Sequence, residues 1–327
     1  MPRPARALAS PALASAALLA LAGCAMSQTE PDAAPAAPAA AAPAAASTDA
    51  DGLMKWPALL DRPRPAASAT IRYGADPLQI VDLWLPEGAG PHPTVLMVHG
   101  GCWTTEIADR TIMNWIAEDL RKRGIAVWNI DYRGVDRPGG GYPGTFLDAA
   151  AAADALRTHA ARYKLDLSRL VATGHSAGGH LALWLAARPR IRPDSKLHSV
   201  NPLPIRAVVS LGGLPDLEEA ARPPGSGCGT EVIDKLVGPP TMSSRDVYAD
   251  TSVPRLGPLG VRQVLVNGMQ DRIIPVAYAE GYAAPMRAKG DTVEVRMIDR
   301  TGHVELIAPE REAWAAAVAE LEKALGR

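Results

Sequence analysis

The sequence predicts an α/β fold, with a mostly parallel central sheet flanked by helices on both faces. From about residue 63 onward, short apolar runs alternate with longer helical patterns, which is typical of strands joined by crossover helices. Several of these runs are apolar almost throughout, as expected for strands that are covered on both faces. The composition, 47% hydrophobic and 21% charged residues, is that of a globular protein. We therefore expect one folded domain over residues 63–327.

The strands and helices can be placed in chain order from the apolar runs and their periodicity. Two early strands are expected at 70–73 and 78–85, followed by the apolar run 94–98. Further buried strands are predicted at 125–130, 170–173, 207–211, 261–266 and 293–298, and helices near 111–123, 146–163, 178–187, 275–288 and 309–325. The long connection 214–259 should hold a short helix near 231–236 and cover the functional site, since long loops in compact domains are usually functional.

The N-terminal region has the features of an export signal followed by a linker. Arg3 and Arg6 precede an uncharged apolar run that ends at Leu21-Ala22-Gly23-Cys24, so residues 1–23 are predicted to be a signal peptide. This ending resembles the lipobox of bacterial lipoproteins, which implies that Cys24 is lipidated and anchors the chain to a membrane. The alternative to a lipoprotein signal is an ordinary signal peptide or a transmembrane anchor. Ala25 then favours the outer membrane of the bacterial envelope by the same resemblance. Residues 24–62, rich in Ala and Pro, are predicted to be a disordered tether.

Charge excludes one class of partner. The chain carries 34 Lys and Arg against 35 Asp and Glu, a formal net charge of -1. Since no positive excess is available to neutralise a phosphate backbone, nucleic acid is not expected as a partner. The sequence also has no phosphate-binding loop of the P-loop type and no Cys and His cluster with metal-binding spacing.

The segment Gly174-His175-Ser176-Ala177-Gly178 has the pattern of a nucleophile elbow. It follows the apolar run 170–173 and precedes a helix-compatible run, which is the strand–turn–helix context that such an elbow requires. A serine on this turn exposes its hydroxyl, and the close crossing of strand and helix leaves room only for small residues two places before and after it. Ser176 is therefore predicted to be a nucleophile. The alternative is a glycine-rich turn with a solvated serine.

A serine nucleophile needs an imidazole base and a carboxylate that orients the base. With this elbow, the expected chain order is Ser, then Asp or Glu, then His, on loops after later strands. Asp271 lies in the loop after strand 261–266, and His303 lies in the exit loop of strand 293–298. His303 alone among the seven histidines combines a strand exit, a preceding glycine and this order. Asp216, which follows strand 207–211, is the rival acid.

The loop that begins at His99 is predicted to supply the oxyanion-binding amides. It reads His99-Gly100-Gly101-Cys102-Trp103 and directly follows the strand 94–98, which is where an oxyanion loop belongs. The donors are predicted to be the N–H groups of Gly101 and Cys102, together with that of Ala177 at the elbow, and His99 is expected to brace the loop. A disulfide between Cys102 and Cys228 is compatible with export, but sequence alone does not require it.

With these motifs the chain resembles α/β-hydrolases of the esterase/lipase superfamily, and within it the hormone-sensitive-lipase-like and kynurenine-formamidase-like carboxylesterases. The residues that carry the likeness, between about 81 and 325, are the loop 99–103, Asp131-Tyr132-Arg133, the elbow 174–180, Asp271 and His303. The resemblance implies an α/β-hydrolase fold and a serine carboxylesterase that acts on small or aryl esters through an acyl-enzyme, with no cofactor and no metal.

Cys102-Trp103 replaces the third glycine of the lipase-like pattern, so Trp103 is a candidate wall of the substrate site, with packing against the sheet as the alternative. Two other functions stay open. One is an arylformamidase-like amidase that uses the same residues. The other is a non-catalytic binding lipoprotein that kept only the fold.

Overall fold

The central sheet of the computed structural model, which describes residues 47–242 and 245–327, has eight strands in the order β1-β2-β4-β3-β5-β6-β7-β8. The strands are β1 (Ala69–Arg72), β2 (Ile80–Trp84), β3 (His92–Val98), β4 (Ala126–Ile130), β5 (Leu165–His175), β6 (Ala207–Leu211), β7 (Arg262–Gly268) and β8 (Val293–Ile298). β1 pairs antiparallel with β2, and β2 pairs antiparallel with β4. All other neighbours are parallel, so the predicted α/β class is confirmed.

Helices cover both faces of this sheet. They are α1 (Trp56–Leu60), α2 (Asn114–Lys122), α3 (Gly144–Tyr163), α4 (Ala177–Ala187), α5 (Leu217–Ala220), α6 (Glu231–Val237), α7 (Val253–Leu256), α8 (Ala277–Ala288) and α9 (Glu312–Ala324). Short 3-10 turns stand at Arg110–Met113, Arg188–Arg190 and Glu305–Ile307. One apolar cluster joins α3, α4 and α8 to one face of the sheet, and a second joins α2 and α9 to the other.

Helix α4 positions the elbow because it is buried on all sides. Every residue from Ala177 to Ala187 is buried, and the helix is apolar all round, as expected for a helix in the interior of a domain. It packs against β5, β3 and β6. The start of α4 is therefore fixed at the carboxyl ends of the central parallel strands, where ligands of open α/β sheets bind.

The predicted tether does not hold for residues 47–62. Thr48 pairs with Met54 in an isolated β-bridge, α1 follows directly, and Leu53, Met54 and Leu59 are buried. These apolar side chains pack against the domain, so the folded part begins earlier than the predicted residue 63. The predicted signal peptide, Cys24 and the rest of the tether up to residue 46 lie outside the described residues.

Over the described ranges, the structure contains no helix that is both long enough and apolar enough to span a bilayer.

Candidate active site

Ser176 occupies the turn between β5 and α4 in a backbone conformation that L-residues rarely adopt. Its φ is 55° and its ψ is -123°, in a region that is tolerated where the surrounding structure enforces it. The crossing of strand and helix is close: a Cβ at Gly174 would stand 2.1 Å from the carbonyl oxygen of Gly178, and one at Gly178 would stand 2.2 Å from that of Val98. Only glycine fits at these two positions, as the elbow pattern predicts.

Asp271 and His303 lie in contact, on the loops that follow β7 and β8. His303 Nδ1 is 2.6 Å from Asp271 Oδ2, and both residues are buried. Because a carboxylate only accepts, Nδ1–H is the donor, and the Nε2 of a neutral ring is then left as an acceptor. Asp271 Oδ1 accepts from the backbone N–H groups of Ile273 and Ile274, at 2.9 and 2.8 Å. These bonds fix the carboxylate against the ring.

Backbone contacts bring the elbow next to this pair. The N–H of Ser176 donates to the carbonyl of Leu211 at 2.9 Å, and the next residue, Gly212, stands against the pair: a Cβ there would lie 3.3 Å from Asp271 Oδ2 and 3.4 Å from His303 Nδ1. Among the described residues, no hydrogen bond joins the Ser176 hydroxyl to the His303 ring. Such bonds are often long without substrate and tighten only when it binds. Ser176 itself is only 2% exposed.

His175, which precedes the serine, supports the backbone of His303. Its Nε2–H donates to the carbonyl of His303 at 3.1 Å, and the two ring centroids are 4.3 Å apart. Burial, together with the neighbouring His303, holds the pKa of His175 well below its usual value. His175 is therefore neutral over the ordinary pH range.

The loop after β3 runs beside the elbow and has two amides without a protein acceptor among the described residues. Gly101, Cys102 and Trp103 all have positive φ, at 99°, 51° and 53°. A Cβ at Gly100 would lie 3.0 Å from the Cβ of Ser176, so this loop runs directly beside the serine. Within the described residues, the N–H groups of Gly101 and Cys102 donate to no protein acceptor. The N–H of Ala177 is the first amide of α4, a position that has no intrahelical partner. These are the three predicted oxyanion donors.

His99, the first residue of this loop, belongs to a buried network of hydrogen bonds. Its Nε2 lies 3.0 Å from Asp131 Oδ1, its Nδ1 lies 2.7 Å from the carbonyl of Gly100, and its ring stacks on Tyr132 at 4.3 Å. The Tyr132 hydroxyl donates to the carbonyl of His99 at 3.0 Å. Arg110 pairs with Asp131 on the far side at 3.0 Å. Asp131 and Tyr132 therefore hold His99, and with it the start of the loop, in place.

Cys102 and Cys228 form a disulfide, which the sequence left open. It ties the loop after β3 to the connection 214–259, in which α6 buries Ile233 and Leu236 against the core. A covalent bond therefore holds the predicted oxyanion donor Cys102 to this connection.

Trp103 does not line the site, and its assignment to substrate binding is wrong. Its side chain is 0% exposed and packs edge-on against His180, with ring centroids 5.4 Å apart. The indole belongs to the buried core cluster that also contains Phe146 and Trp184. The alternative interpretation of this residue, packing against the sheet, describes its position.

A cavity of about 390 Å³ adjoins His303, and its walls include residues that sequence reasoning missed. Of the three predicted side chains, only His303 reaches its wall. Trp56, from the stretch predicted to be a tether, lies edge-on to both histidine rings, 6.3 Å from His303 and 6.2 Å from His175. The only available signal for Trp56 was an aromatic residue in an Ala- and Pro-rich region. In the described part of the chain, no cluster of three or more His, Cys, Asp or Glu side chains could hold a metal ion.

Comparison with known proteins places the chain in a family. The BD-FAE family profile matches residues 81–284, which is more than half of the chain. The chain belongs to the BD-FAE family. The matched region holds the elbow and Asp271, whereas His303 and the segment with Trp56 lie outside it. Membership in this family, together with the sheet order, confirms the predicted α/β-hydrolase fold of the esterase/lipase type.

Individual relatives of this BD-FAE chain are esterases by name. Esterase LipC of Mycobacterium tuberculosis is 26% identical over 73% of the chain, which covers 62% of that protein. The probable isoprenylcysteine alpha-carbonyl methylesterase ICMEL1 of Arabidopsis thaliana is 32% identical over 42% of the chain and is covered over 28% of its length. The chain thus spans less than two thirds of either relative. Among solved structures, esterase B from Lactobacillus rhamnosis is similar in fold, with a TM-score of 0.65 at 19% identity over 80% of this chain and 87% of that one.

Proposed function

We propose that the chain is a serine carboxylic-ester hydrolase that acts on small or aryl esters. The observation that carries this proposal is the strained backbone of Ser176 at the start of α4, beside the 2.6 Å contact between His303 and Asp271. The serine, the acid and the base follow one another along the chain in the order that this elbow requires. The esterase names of LipC and ICMEL1 support the same activity.

In the proposed mechanism, His303 Nε2 takes the proton of the Ser176 hydroxyl as the serine oxygen attacks the ester carbonyl carbon. The negative charge that develops on the carbonyl oxygen is stabilised by the amides of Gly101, Cys102 and Ala177. The bond to the alcohol oxygen then breaks, and His303 gives its proton to that oxygen. This leaves an acyl-Ser176 and a free alcohol.

The second half of the reaction repeats these roles with water. His303 takes a proton from water, whose oxygen attacks the acyl carbon, and then returns the proton to Ser176 as the acid leaves. Asp271 keeps the ring in one tautomer and stabilises the imidazolium that forms in each half. Every proton transfer is therefore assigned to a side chain of this protein.

The test combines covalent labelling with turnover. A fluorophosphonate probe should label the wild-type protein on Ser176 and leave Ser176→Ala unlabelled, and the same substitution should abolish hydrolysis of 4-nitrophenyl acetate. Labelling of the variant at full rate would contradict the assigned nucleophile. If the wild-type protein hydrolyses an N-formyl arylamine faster than the ester, the amidase alternative is favoured. If the wild-type protein is neither labelled nor active on either substrate, the non-catalytic binding lipoprotein is the remaining function.

We also propose that lipidated Cys24 anchors the protein in the bacterial envelope, on the strength of the lipobox-like ending and the apolar run before it. Replacing Cys24 with Ser in the full chain should move the protein from the membrane fraction to the soluble fraction without changing its turnover of 4-nitrophenyl acetate. Retention of the variant on membranes would contradict this anchor.

A further inference from the structure

The cavity beside His303 lies between the N-terminal segment and two loops of the domain. The segment, residues 47–60, forms one side, and the loops 270–273 and 302–304 form the other. Its walls are mainly apolar and include Leu53, Met54, Trp56 and Ile273, with the charged groups of Lys55 and Arg272 at the rim. The cavity is therefore suited to an apolar group that keeps a polar edge toward solvent.

A buried carboxylate holds the segment against the histidine loop. Glu305, which is 3% exposed, accepts from the backbone N–H of Met54 through one oxygen and from that of Gly302 through the other, at 3.1 Å. Gly302 immediately precedes His303. The same side chain thus fixes the backbone on both sides of the cavity.

The outer end of the segment is tied to the loop that carries Asp271. Arg272 pairs with Asp49 at 3.3 Å and also with Asp51. Leu53 and Met54 are buried between these two attachments. Trp56, two residues after Met54, is half-buried and lines the cavity.

The position of His303 on the wall decides which part of an ester would enter. In the proposed mechanism, His303 gives its proton to the departing alcohol oxygen, so this oxygen lies within hydrogen-bond distance of the ring. The carbonyl oxygen of the acyl half is instead bound by the amides of the loop after β3 and of the elbow. Of the two halves of the ester, the alcohol is therefore the one that adjoins a cavity lined by His303.

We propose that this cavity is an alcohol-binding subsite and that Trp56 makes it selective for aryl alcohols. Trp56 and His303 both line the cavity, with ring centroids 6.3 Å apart, so an aromatic leaving group that enters it can pair with the indole at about 4.5–7 Å, the range of favourable ring pairs. The apolar walls favour the same kind of group over a short alkyl alcohol. This inference rests on the proposed esterase function and adds its leaving-group preference.

The experiment varies the alcohol while the acyl group stays constant. kcat/KM of the full chain is measured for phenyl acetate and ethyl acetate, since kcat/KM reports the steps through acylation, in which the alcohol departs. Trp56→Ala should lower the value for phenyl acetate about tenfold, the loss expected for one ring pair, and that for ethyl acetate less than about twofold. Trp56→Phe keeps an aromatic wall and should retain most of the wild-type ratio.

A matched control and a second substrate series separate an alcohol subsite from an acyl subsite and from a general loss of activity. Asp61→Ala changes an exposed residue directly after the segment that is not part of the cavity lining, and it should leave the phenyl-to-ethyl ratio unchanged. With 4-nitrophenyl acetate and butyrate, which share one alcohol, Trp56→Ala should lower both values by the same factor. The ratio within each variant is insensitive to how much of the protein is folded.

Three results would overturn the inference: an equal loss for the phenyl and ethyl esters, a loss that grows with acyl length, or a Trp56→Phe variant as impaired as Trp56→Ala. A wild-type protein that hydrolyses none of these esters would instead overturn the proposed function, and the alcohol subsite with it.

Discussion

Replacing Asp271 with Asn tests whether this carboxylate orients the base. Its Oδ1 accepts from the N–H groups of Ile273 and Ile274, and its Oδ2 meets His303 Nδ1 at 2.6 Å. An Asn can keep both backbone bonds with its carbonyl oxygen, and this places its NH₂ group against Nδ1. Because two donors cannot pair, the ring is driven to carry its proton on Nε2, where it can no longer accept from Ser176. We expect kcat to fall about 10⁴-fold, or about 5 kcal/mol of barrier.

The assay is the turnover of 4-nitrophenyl acetate per folded molecule, and the rival acid supplies the control. Asp216 caps α5 by accepting from the N–H groups of Glu218 and Glu219, and it also accepts from the Ser252 hydroxyl. Asp216→Asn should therefore cost about 1 kcal/mol of stability or less and leave kcat within a few-fold of wild type. The reasoning is refuted if Asp271→Asn keeps more than about a tenth of the wild-type kcat, or if Asp216→Asn loses as much as it does.

Three further perturbations follow from the packing. Replacing Cys102 and Cys228 together with Ser should lower the free energy of unfolding by about 2–4 kcal/mol in urea, because their disulfide joins positions 126 residues apart; an unchanged midpoint would argue against it. Gly178→Ala should lower the free energy of unfolding by about 3 kcal/mol or prevent folding, since its Cβ would meet two carbonyl oxygens within 2.4 Å. Gly281→Ala, in α8, has open space around the new Cβ and should instead raise the free energy of unfolding by up to about 1 kcal/mol, as measured by thermal melting. Burial lowers the pKa of His180 from 6.5 to about 4, so between these pH values the unfolded chain binds more protons than the native one. The free energy of unfolding should therefore drop by about 3 kcal/mol as pH falls across that window, and His180→Gln should reduce this drop in chemical denaturation; an equal drop in both proteins would contradict it.

Most of the sheet could be predicted because its inner parallel strands are buried on both faces and therefore read as apolar runs, whereas β8, at the edge of the sheet, is only partly buried although the sequence predicts a buried strand there. β6 and β8 begin and end where the sequence places them, at 207–211 and 293–298. β5 is longer than the predicted 170–173 and covers Leu165–His175. Its first half contains Asp166 and Arg169, which pair with each other at the surface and interrupt the apolar pattern. Backbone pairing with β3 nevertheless extends the strand, and a pattern of side chains cannot reveal such pairing.

The site could be predicted where local backbone geometry restricts the choice of residue, and it could not be predicted where side-chain direction decides. Ser176 and its flanking glycines follow from the turn, and the contact between Asp271 and His303 follows from their loops at the ends of neighbouring strands. Trp103 stands two residues from Gly101 in the same motif, but its indole is fully buried in the core. Sequence spacing placed the residue near the site and could not give that direction.

The N-terminal segment, to which we assign the choice of alcohol, could not be predicted from the local sequence. Its attachment depends on Glu305, 251 positions from Met54, and local composition carries no trace of a contact that distant. The family match begins at residue 81, so the segment with Trp56 lies outside the region shared with other BD-FAE chains. A fold can keep one reaction while the residues around its entrance change, because the chemistry depends on a few fixed atoms and the choice of substrate depends on the walls. Differences in alcohol preference between this chain and its relatives should therefore follow the residues that occupy the place of 47–60, and exchanging that segment should transfer the preference without altering the rate on ethyl acetate.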